Sequence, residues 1–279
     1  MNCLIDIRTL TLEDVSRLVD WSAQEGWNPC SHDAEAFYAA DPQGFLGCFV
    51  DGELAAGIAG VSYGERFGFI GLYITHPDFR GRGYGLKVWN AALSRLSGRT
   101  IGLDGVPAQQ SNYETMGFRK ASESKRWSAA LSETAISPDA EIAISSKFEE
   151  IMPFDLKFFP AKRGGFLRKW LAHPRTAFVA RRNGAVAGYV VVRRFLEGFK
   201  VGPLFADDAH IAHALLGACG TISNGAVVHL DVPDMHTAFI QQLEELGFQP
   251  GFETARMYLG PPPQLDLSGV FAITTLELG

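Results

Sequence analysis

The chain has 279 residues, of which 47% are hydrophobic and 20% are charged, and its formal net charge is −6. This length and balanced composition predict a globular protein with room for two domains. The negative charge and the lack of a lysine–arginine run argue against nucleic acid as a partner. No apolar run approaches the ~20 residues that a membrane span requires, so we expect no membrane segment.

The amino-terminal segment predicts a strand near Leu4–Arg8 and a helix over Leu12–Gln24, with Thr11 as its N-cap and Asp14 three residues later. The segment lacks the basic start, apolar core and small-residue cleavage site of a signal peptide. The four cysteines have no metal or redox spacing, so we expect them to be reduced. These signals together predict a cytoplasmic protein.

Further elements follow in chain order as far as residue 130. We predict a helix at Ala34–Ala40, strands at Phe45–Val50, Leu54–Val61 and Phe67–Thr75, a helix at Leu86–Leu96, a strand at Thr100–Leu103, a helix at Gln109–Met116, and final strands around Phe118 and at Arg126–Ala129. This alternation predicts an α/β domain with a mixed central sheet flanked by helices.

The second half of the chain repeats signals of the first half. The hairpin turn Asp51-Gly52 returns 132 positions later (183 − 51) as Asn183-Gly184, again before an apolar strand. Such a long offset indicates a duplicated domain rather than a solenoid repeat. We therefore predict one domain at 1–132 and a second at 140–279, joined by the polar linker Ser132–Glu141.

The most informative segment is the loop RGRGYG, which lies between a predicted strand and a predicted helix. Backbone amides at a helix N-terminus favour phosphate, and two arginines add charge-assisted contacts. The alternating glycines match neither the dinucleotide fingerprint nor the P-loop. We predict that the diphosphate of a cofactor is held by Arg80, Gly81, Arg82, Gly83, Tyr84 and Gly85.

With Arg80, Gly83 and Gly85 at its defining places, this loop resembles the acyl-CoA loop of the GNAT superfamily of N-acetyltransferases. The resemblance covers nearly all of residues 1–130, and segments such as GWNP and TTLELG resemble a bacterial subfamily with two tandem GNAT-like domains. It implies an N-acetyltransferase that uses acetyl-CoA and no metal. The implied reaction is direct transfer to the primary amine of a small molecule, by a monomer or a homodimer.

The resemblance also implies roles for individual residues. The pantetheine arm would pair with the strand edge at Leu72, Tyr73 and Ile74, and the Ile74 N–H would face the thioester oxygen. Tyr113 would protonate the leaving thiolate, unless its hydroxyl only satisfies a neighbour. Asn112 would contact the cofactor arm.

The sequence does not identify the general base. Many relatives supply a glutamate at the position that holds Phe69 in this chain. The remaining candidates are Glu65, Asp104, His76 and a chain of water molecules. Because Asp231 repeats Asp104 in the second half, a structural role for this aspartate is favoured.

In the implied fold, the first two helices border the acceptor site. Trp27, Asp33 and Phe37 would suit an alkylammonium group through cation–π and charge contacts. The alternative is aromatic core packing, with Asp33 as a helix N-cap.

The second domain lacks the glycine–arginine loop. Its equivalent segment, Gly202–Asp208, ends in two carboxylates that would repel a diphosphate. We expect this domain not to bind CoA and to shape the substrate pocket, with a plain spacer as the alternative. Two other functions stay open from the sequence: a non-catalytic acyl-CoA sensor and an acetyltransferase of protein amines.

Overall fold

The computed structural model describes residues 3–27, 29–30, 32–133 and 140–279. Among these residues, no helix is both long and apolar enough to cross a membrane. The predicted linker Ser132–Glu141 contains residues 134–139, which lie outside the described residues.

The first half follows the predicted order of elements. Its elements are β1 (Ile5–Thr9), α1 (Leu12–Gln24), α2 (Asp33–Ala40), β2 (Phe45–Val50), β3 (Glu53–Tyr63), β4 (Phe67–Thr75), α3 (Tyr84–Arg95), β5 (Thr100–Gly105), α4 (Pro107–Thr115) and β6 (Arg119–Ala130). At the start of α1, the Thr11 hydroxyl accepts from the Asp14 N–H and the Asp14 carboxylate accepts from the Thr11 N–H, which is the predicted cap. The two final strands predicted around Phe118 and at Arg126–Ala129 form the single strand β6 instead.

The second half repeats the arrangement of the first. Its elements are β7 (Glu141–Ile144), α5 (Phe148–Asp155), α6 (Gly164–Trp170), β8 (Thr176–Arg182), β9 (Ala185–Phe195), β10 (Gly198–Ala206), α7 (Ala209–Ser223), β11 (Val227–Pro233), α8 (Thr237–Glu245), β12 (Gln249–Leu259) and β13 (Val270–Ala272). Both repeated hairpin turns have positive φ at two residues, 51° and 89° at Asp51-Gly52 and 54° and 80° at Asn183-Gly184. This pair of φ values is the geometry of a two-residue hairpin turn.

One continuous sheet joins the two halves. Its strand order is β1-β2-β3-β4-β5-β12-β6-β11-β10-β9-β8-β7, and β13 pairs with β10. Strand β12 of the second half therefore lies between β5 and β6 of the first half, and β6 pairs with β11 of the second half. The halves have exchanged their last long strands, which explains why β6 is one long strand with a partner on each side.

Each exchanged strand carries an arginine that pairs with an aspartate of the other half. Arg256 on β12 donates to both Asp104 oxygens at 2.7 and 2.9 Å. Arg126 on β6 donates to both Asp231 oxygens at 2.8 and 2.9 Å. Burial disfavours the charge of each arginine, but the paired carboxylate outweighs burial and raises the pKa of both arginines.

The apolar cores show how closely the halves are joined. The central core combines α1 and α2 with α5 and α6 of the second half, and Phe37 of α2 stacks on Trp170 of α6 at 6.1 Å between ring centroids. A second core lies between the sheet and α3, and a third lies between the sheet and α7 and α8. The central core belongs to neither half alone.

We expect the two halves to stay together when the chain is cut between residues 133 and 140, because separation would break the β5–β12, β6–β12 and β6–β11 ladders. A protease site in place of residues 134–139 provides the cut. Native size-exclusion chromatography should then give one peak of unchanged volume, and electrophoresis in denaturant should show two fragments. Two separate native peaks would contradict the idea that the exchange holds the halves together.

Candidate functional site

A slot opens between β4 and β5. The two strands run parallel and pair only from Phe67 and Thr100 to Ile70 and Leu103, whereas β4 continues to Thr75. The register of β4 against β3 shifts between Gly71 and Ile74, and Leu72 in this bulge has a φ of 45°. The backbone of Gly71–Thr75 is thus left with an edge that an extended ligand can use.

The N-terminus of α3 faces the same region and is built from glycines. Gly81 and Gly83 have φ values of 75° and 78°, and the N-cap Gly83 places no side chain on the first N–H groups of the helix. A Cβ at Gly85 would lie 2.6 Å from the Thr75 hydroxyl and 2.9 Å from the Tyr73 hydroxyl. Only glycine lets the helix end approach β4 this closely, and the uncapped N–H groups suit a diphosphate.

A cavity of about 580 Å³ adjoins the slot and has three walls. One wall is the edge of β4 with the end of β5 and Tyr113 of α4. The second is the segment Glu25–Trp27 after α1. The third comes from the exchanged strands and the last segment of the chain: Arg126, Phe252, Thr254, Leu276 and Glu277.

Tyr113 is held rigidly at the cavity. Its ring stacks on Trp89 with centroids 5.4 Å apart, and a Cβ at Gly105 would come within 3.1 Å of the same ring. Burial, and after it the neighbouring Tyr73, raises the pKa of Tyr113 to about 12. The phenol is therefore protonated at neutral pH and can donate a hydrogen bond into the cavity.

The predicted cofactor-binding and catalytic residues fall into two groups. Leu72, Tyr73, Ile74, Arg80 and Tyr113 line the cavity. The other predicted residues, Gly81, Arg82, Gly83, Tyr84, Gly85 and Asn112, are not among its lining residues.

Two of the polar residues predicted to hold the cofactor have partners within the protein. The Arg80 guanidinium donates to the Thr75 carbonyl at 3.0 Å and pairs with Glu25. Asn112 is exposed, and its side chain donates to Gln109 at 2.8 Å. Arg80 is thus the predicted arginine that the structure places at the cavity itself.

Of the three predicted acceptor residues, only Trp27 lines the cavity. Asp33 is buried and forms ion pairs with Arg175 at 3.1 Å and Arg193 at 3.4 Å, both from the second half. Phe37 is fully buried against Trp170. Asp33 and Phe37 therefore join α2 to the second half, and their placement does not support contact with an acceptor.

The candidate general bases differ in their positions relative to the cavity. Asp104 lines the cavity, but Arg256 occupies both of its oxygens. Glu65 lies in the turn before β4, nine residues from Ile74, which is roughly 30 Å along an extended strand. His76 follows β4 and packs beside Trp21 at 5.1 Å between ring centroids, and it is not among the lining residues.

Several lining residues carry no sequence signal for a site. Arg126, Phe252, Thr254, Leu276 and Glu277 reach the cavity through the strand exchange and the path of the last segment. Their contacts with β4 and β5 span large sequence separations. The repeated Leu-Asp of β5 and β11 was the one local hint of a paired arrangement.

In the second half, the chain itself fills the equivalent slot. Strands β10 and β11 pair in parallel only from Phe199 and Val228 to Val201 and Leu230. Beyond that point β13 pairs with β10, and the Ile273 N–H donates to the Asp231 carbonyl at 3.0 Å. The space that lies open between β4 and β5 is here closed by a strand.

The helix end of the second half is closed as well. Asp208 is the N-cap of α7, and its carboxylate accepts from the Ile211 N–H at 2.9 Å. The same carboxylate pairs with Arg182 at 2.8 Å. A carboxylate of the chain thus occupies the position that a phosphate would need.

Comparisons with known proteins agree with this geometry. The model described as "Acetyltransferase (GNAT) family" matches residues 12–118, and the model described as "Acetyltransferase (GNAT) domain" matches residues 151–272. The holothin acyltransferase of Pseudoalteromonas sp. (strain SANK 73390) is 32% identical over 272 residues, which are 96% of this chain and 92% of that protein. The chain belongs to the GNAT superfamily.

Solved structures share the tandem GNAT fold. A crystal structure of an acetyltransferase candidate from Pyrococcus horikoshii superposes with a TM-score of 0.82 at 20% identity, covering 99% of this chain and 96% of that chain. A tandem GNAT protein from the clavulanic acid biosynthesis pathway gives a TM-score of 0.64 at 15% identity, covering 93% of this chain and 100% of that chain. The protein is a tandem GNAT enzyme, an acyl-CoA-dependent N-acetyltransferase.

For this GNAT loop, we expect that replacing Arg80 and Arg82 together with alanine weakens CoA binding at least roughly tenfold, which corresponds to ~1.4 kcal/mol. The reason is the loss of two charges beside the uncapped end of α3. Titration calorimetry with CoA measures the change. The matched control replaces Arg8 and Arg17 with alanine, which removes the same charge from two residues that do not line the cavity. Equal affinities in both double variants would rule out the phosphate role.

Proposed function

We propose that this GNAT protein transfers the acetyl group of acetyl-CoA to the primary amine of a small molecule, by direct attack in a ternary complex. The observation that carries the proposal is the cavity itself. The free edge of β4 and Tyr113 form one end of the cavity, and Trp27, the exchanged strands and the last segment of the chain form its other walls. Donor and acceptor can therefore meet at one place.

The size and enclosure of the cavity support a small acceptor. A volume of about 580 Å³ is typical of small-molecule sites. Phe252 and Leu276 of the second half line the cavity and take up space that a protein chain would need. The similar holothin acyltransferase is named for acylation of one compound, which also favours a small acceptor over a protein amine.

Direct transfer is supported by the placement of the possible nucleophiles. Among the described residues that line the cavity, there is no cysteine and no serine. Burial raises the pKa of the Cys30, Cys48 and Cys219 thiols, which disfavours their thiolate forms. An acyl-enzyme intermediate would need an activated nucleophile at the cavity.

In the proposed reaction, each element of the slot has one task. The uncapped N-terminus of α3 and Arg80 bind the diphosphate, and the edge Leu72–Ile74 pairs with the pantetheine arm. The Ile74 N–H stabilises the charge that develops on the thioester oxygen. Tyr113 donates a hydrogen bond to the sulfur as it becomes a thiolate, since a phenol with a pKa of about 12 keeps its proton until that charge appears.

Initial-velocity measurements test the function itself. Acetyl-CoA is varied at several fixed concentrations of each amine in a panel of small primary amines, and free CoA is followed as product. Direct attack in a ternary complex predicts intersecting lines in double-reciprocal plots. Parallel lines would indicate an acyl-enzyme, and turnover confined to protein or peptide amines would contradict the small acceptor.

We expect Tyr113→Phe to lower kcat by roughly 10²-fold or more, because it removes the donor to the leaving sulfur while keeping the ring on Trp89. The KM for acetyl-CoA should change little. Tyr38→Phe is the matched control, since it removes a half-buried phenol that does not line the cavity. A kcat for Tyr113→Phe equal to that of the control would remove Tyr113 from the mechanism.

A further inference from the structure

Three carboxylates line the cavity, and two of them are bound to arginines. Asp104 gives both oxygens to Arg256 at 2.7 and 2.9 Å, and Glu25 pairs with Arg80. Among the described residues, no arginine or lysine forms such a pair with Glu277, whose carboxylate accepts a hydrogen bond from the neutral Thr275 hydroxyl. Glu277 is therefore the carboxylate at the cavity with free capacity to bind a cation.

The main chain fixes the position of Glu277. Its carbonyl oxygen lies so close to Gly71 that a Cβ there would come within 1.9 Å of it. The next carbonyl, that of Leu278, accepts from the Tyr63 hydroxyl at 3.0 Å. The Arg163 guanidinium donates to the Gly279 carbonyl at 3.3 Å. The segment is thus fixed against Gly71 of β4, three residues before Ile74, and is also held by β3 and by the residue before α6.

Titratable groups of neighbouring strands determine the charge around Glu277. Those that interact with it electrostatically are Asp104 of β5, Arg126 of β6 and Lys200 of β10. Arg126 is held in an ion pair by Asp231, so it is not free to pair with Glu277. Asp104 is likewise held by Arg256. Glu277 thus lies among two cations and one carboxylate, and two of these three groups already have an ion-pair partner.

We propose that the Glu277 carboxylate binds the acceptor as an alkylammonium ion and accepts its proton, acting as the general base of the transfer. This inference rests on the proposed function. The freed amine nitrogen forms a bond to the acetyl carbon, and the C–S bond breaks with its electron pair leaving on sulfur. One ammonium proton passes to Glu277 before attack, and Glu277 gives it to solvent when the products leave. A second leaves the new amide nitrogen for water, and the sulfur receives its proton from Tyr113, which regains one from solvent.

The proposed base also indicates the class of acceptor. A cavity lined by a carboxylate, the indole of Trp27 and the ring of Phe252 suits a positively charged amine rather than a neutral or acidic group. The substrate class is therefore an alkylamine that is protonated at neutral pH.

The test replaces Glu277 with glutamine and compares the variant with Glu253→Gln, an exposed carboxylate on β12 beside Thr254. For alkylamines, Glu277→Gln should lower kcat/KM for the acceptor roughly 10²-fold or more, with unchanged calorimetric affinity for CoA. The remaining rate should rise with pH as the amine itself loses its proton. For arylamines, which are neutral at the assay pH, the loss should be several times smaller.

Glu277→Asp keeps the charge and separates a chemical role from a purely structural one. It should recover part of the alkylamine activity that Glu277→Gln loses, at equal melting temperature. Wild-type rates and an unchanged pH profile in Glu277→Gln would overturn the role of Glu277, and so would an equal loss for alkylamines and arylamines. Activity of the wild-type protein on small amines would stand in either case, so this failure is distinct from failure of the proposed function.

Discussion

The reciprocal exchange of β6 and β12 is the constraint on which the rest of the structure depends. Each exchanged strand is fixed by a part-buried arginine–aspartate pair, Arg126 with Asp231 and Arg256 with Asp104. Ion pairs taken out of water add little net stability compared with apolar packing, but a shifted register would leave these part-buried charges without partners. The two pairs therefore specify one register, and that register brings Phe252 and Thr254 of β12 to the cavity.

Duplication has led to opposite results in the two halves. The first half keeps an open slot between β4 and β5 and an uncapped helix end behind Gly83. In the second half, β13 fills the equivalent slot and Asp208 caps the equivalent helix. The strand that closes one slot leads directly into the segment that carries Leu276 and Glu277 to the other cavity. A single stretch of chain thus closes the slot of the second half and lines the cavity of the first.

The sequence predicted the structural features that depend on residues close together along the chain. The cap of α1, the bounds of β2 and β4 and the repeated hairpin turns all follow from residues within a few positions of one another. The strand exchange could not be predicted, because β5 and β12 lie some 150 residues apart and either half could close its own sheet in the usual order. Asp33 shows the same limit. Its position at the N-terminus of α2 depends on nearby residues, whereas its ion-pair partners Arg175 and Arg193 lie in the second half of the chain.

The structure gives a reason why this chain has Phe69 on β4, at the position where many relatives have a glutamate. Phe69 is fully buried, with the Arg256 guanidinium 5.0 Å from its ring centroid and Gly279 packed against the ring. A carboxylate at that position would compete with Asp104 for Arg256 and would lie beneath the last segment of the chain. The same segment places the Glu277 backbone over Gly71, two residues further along β4. Under the proposed mechanism, the carboxylate has not been lost from the site. It is supplied across the sheet by the second half, which gives the degenerate domain a direct part in the chemistry of the first.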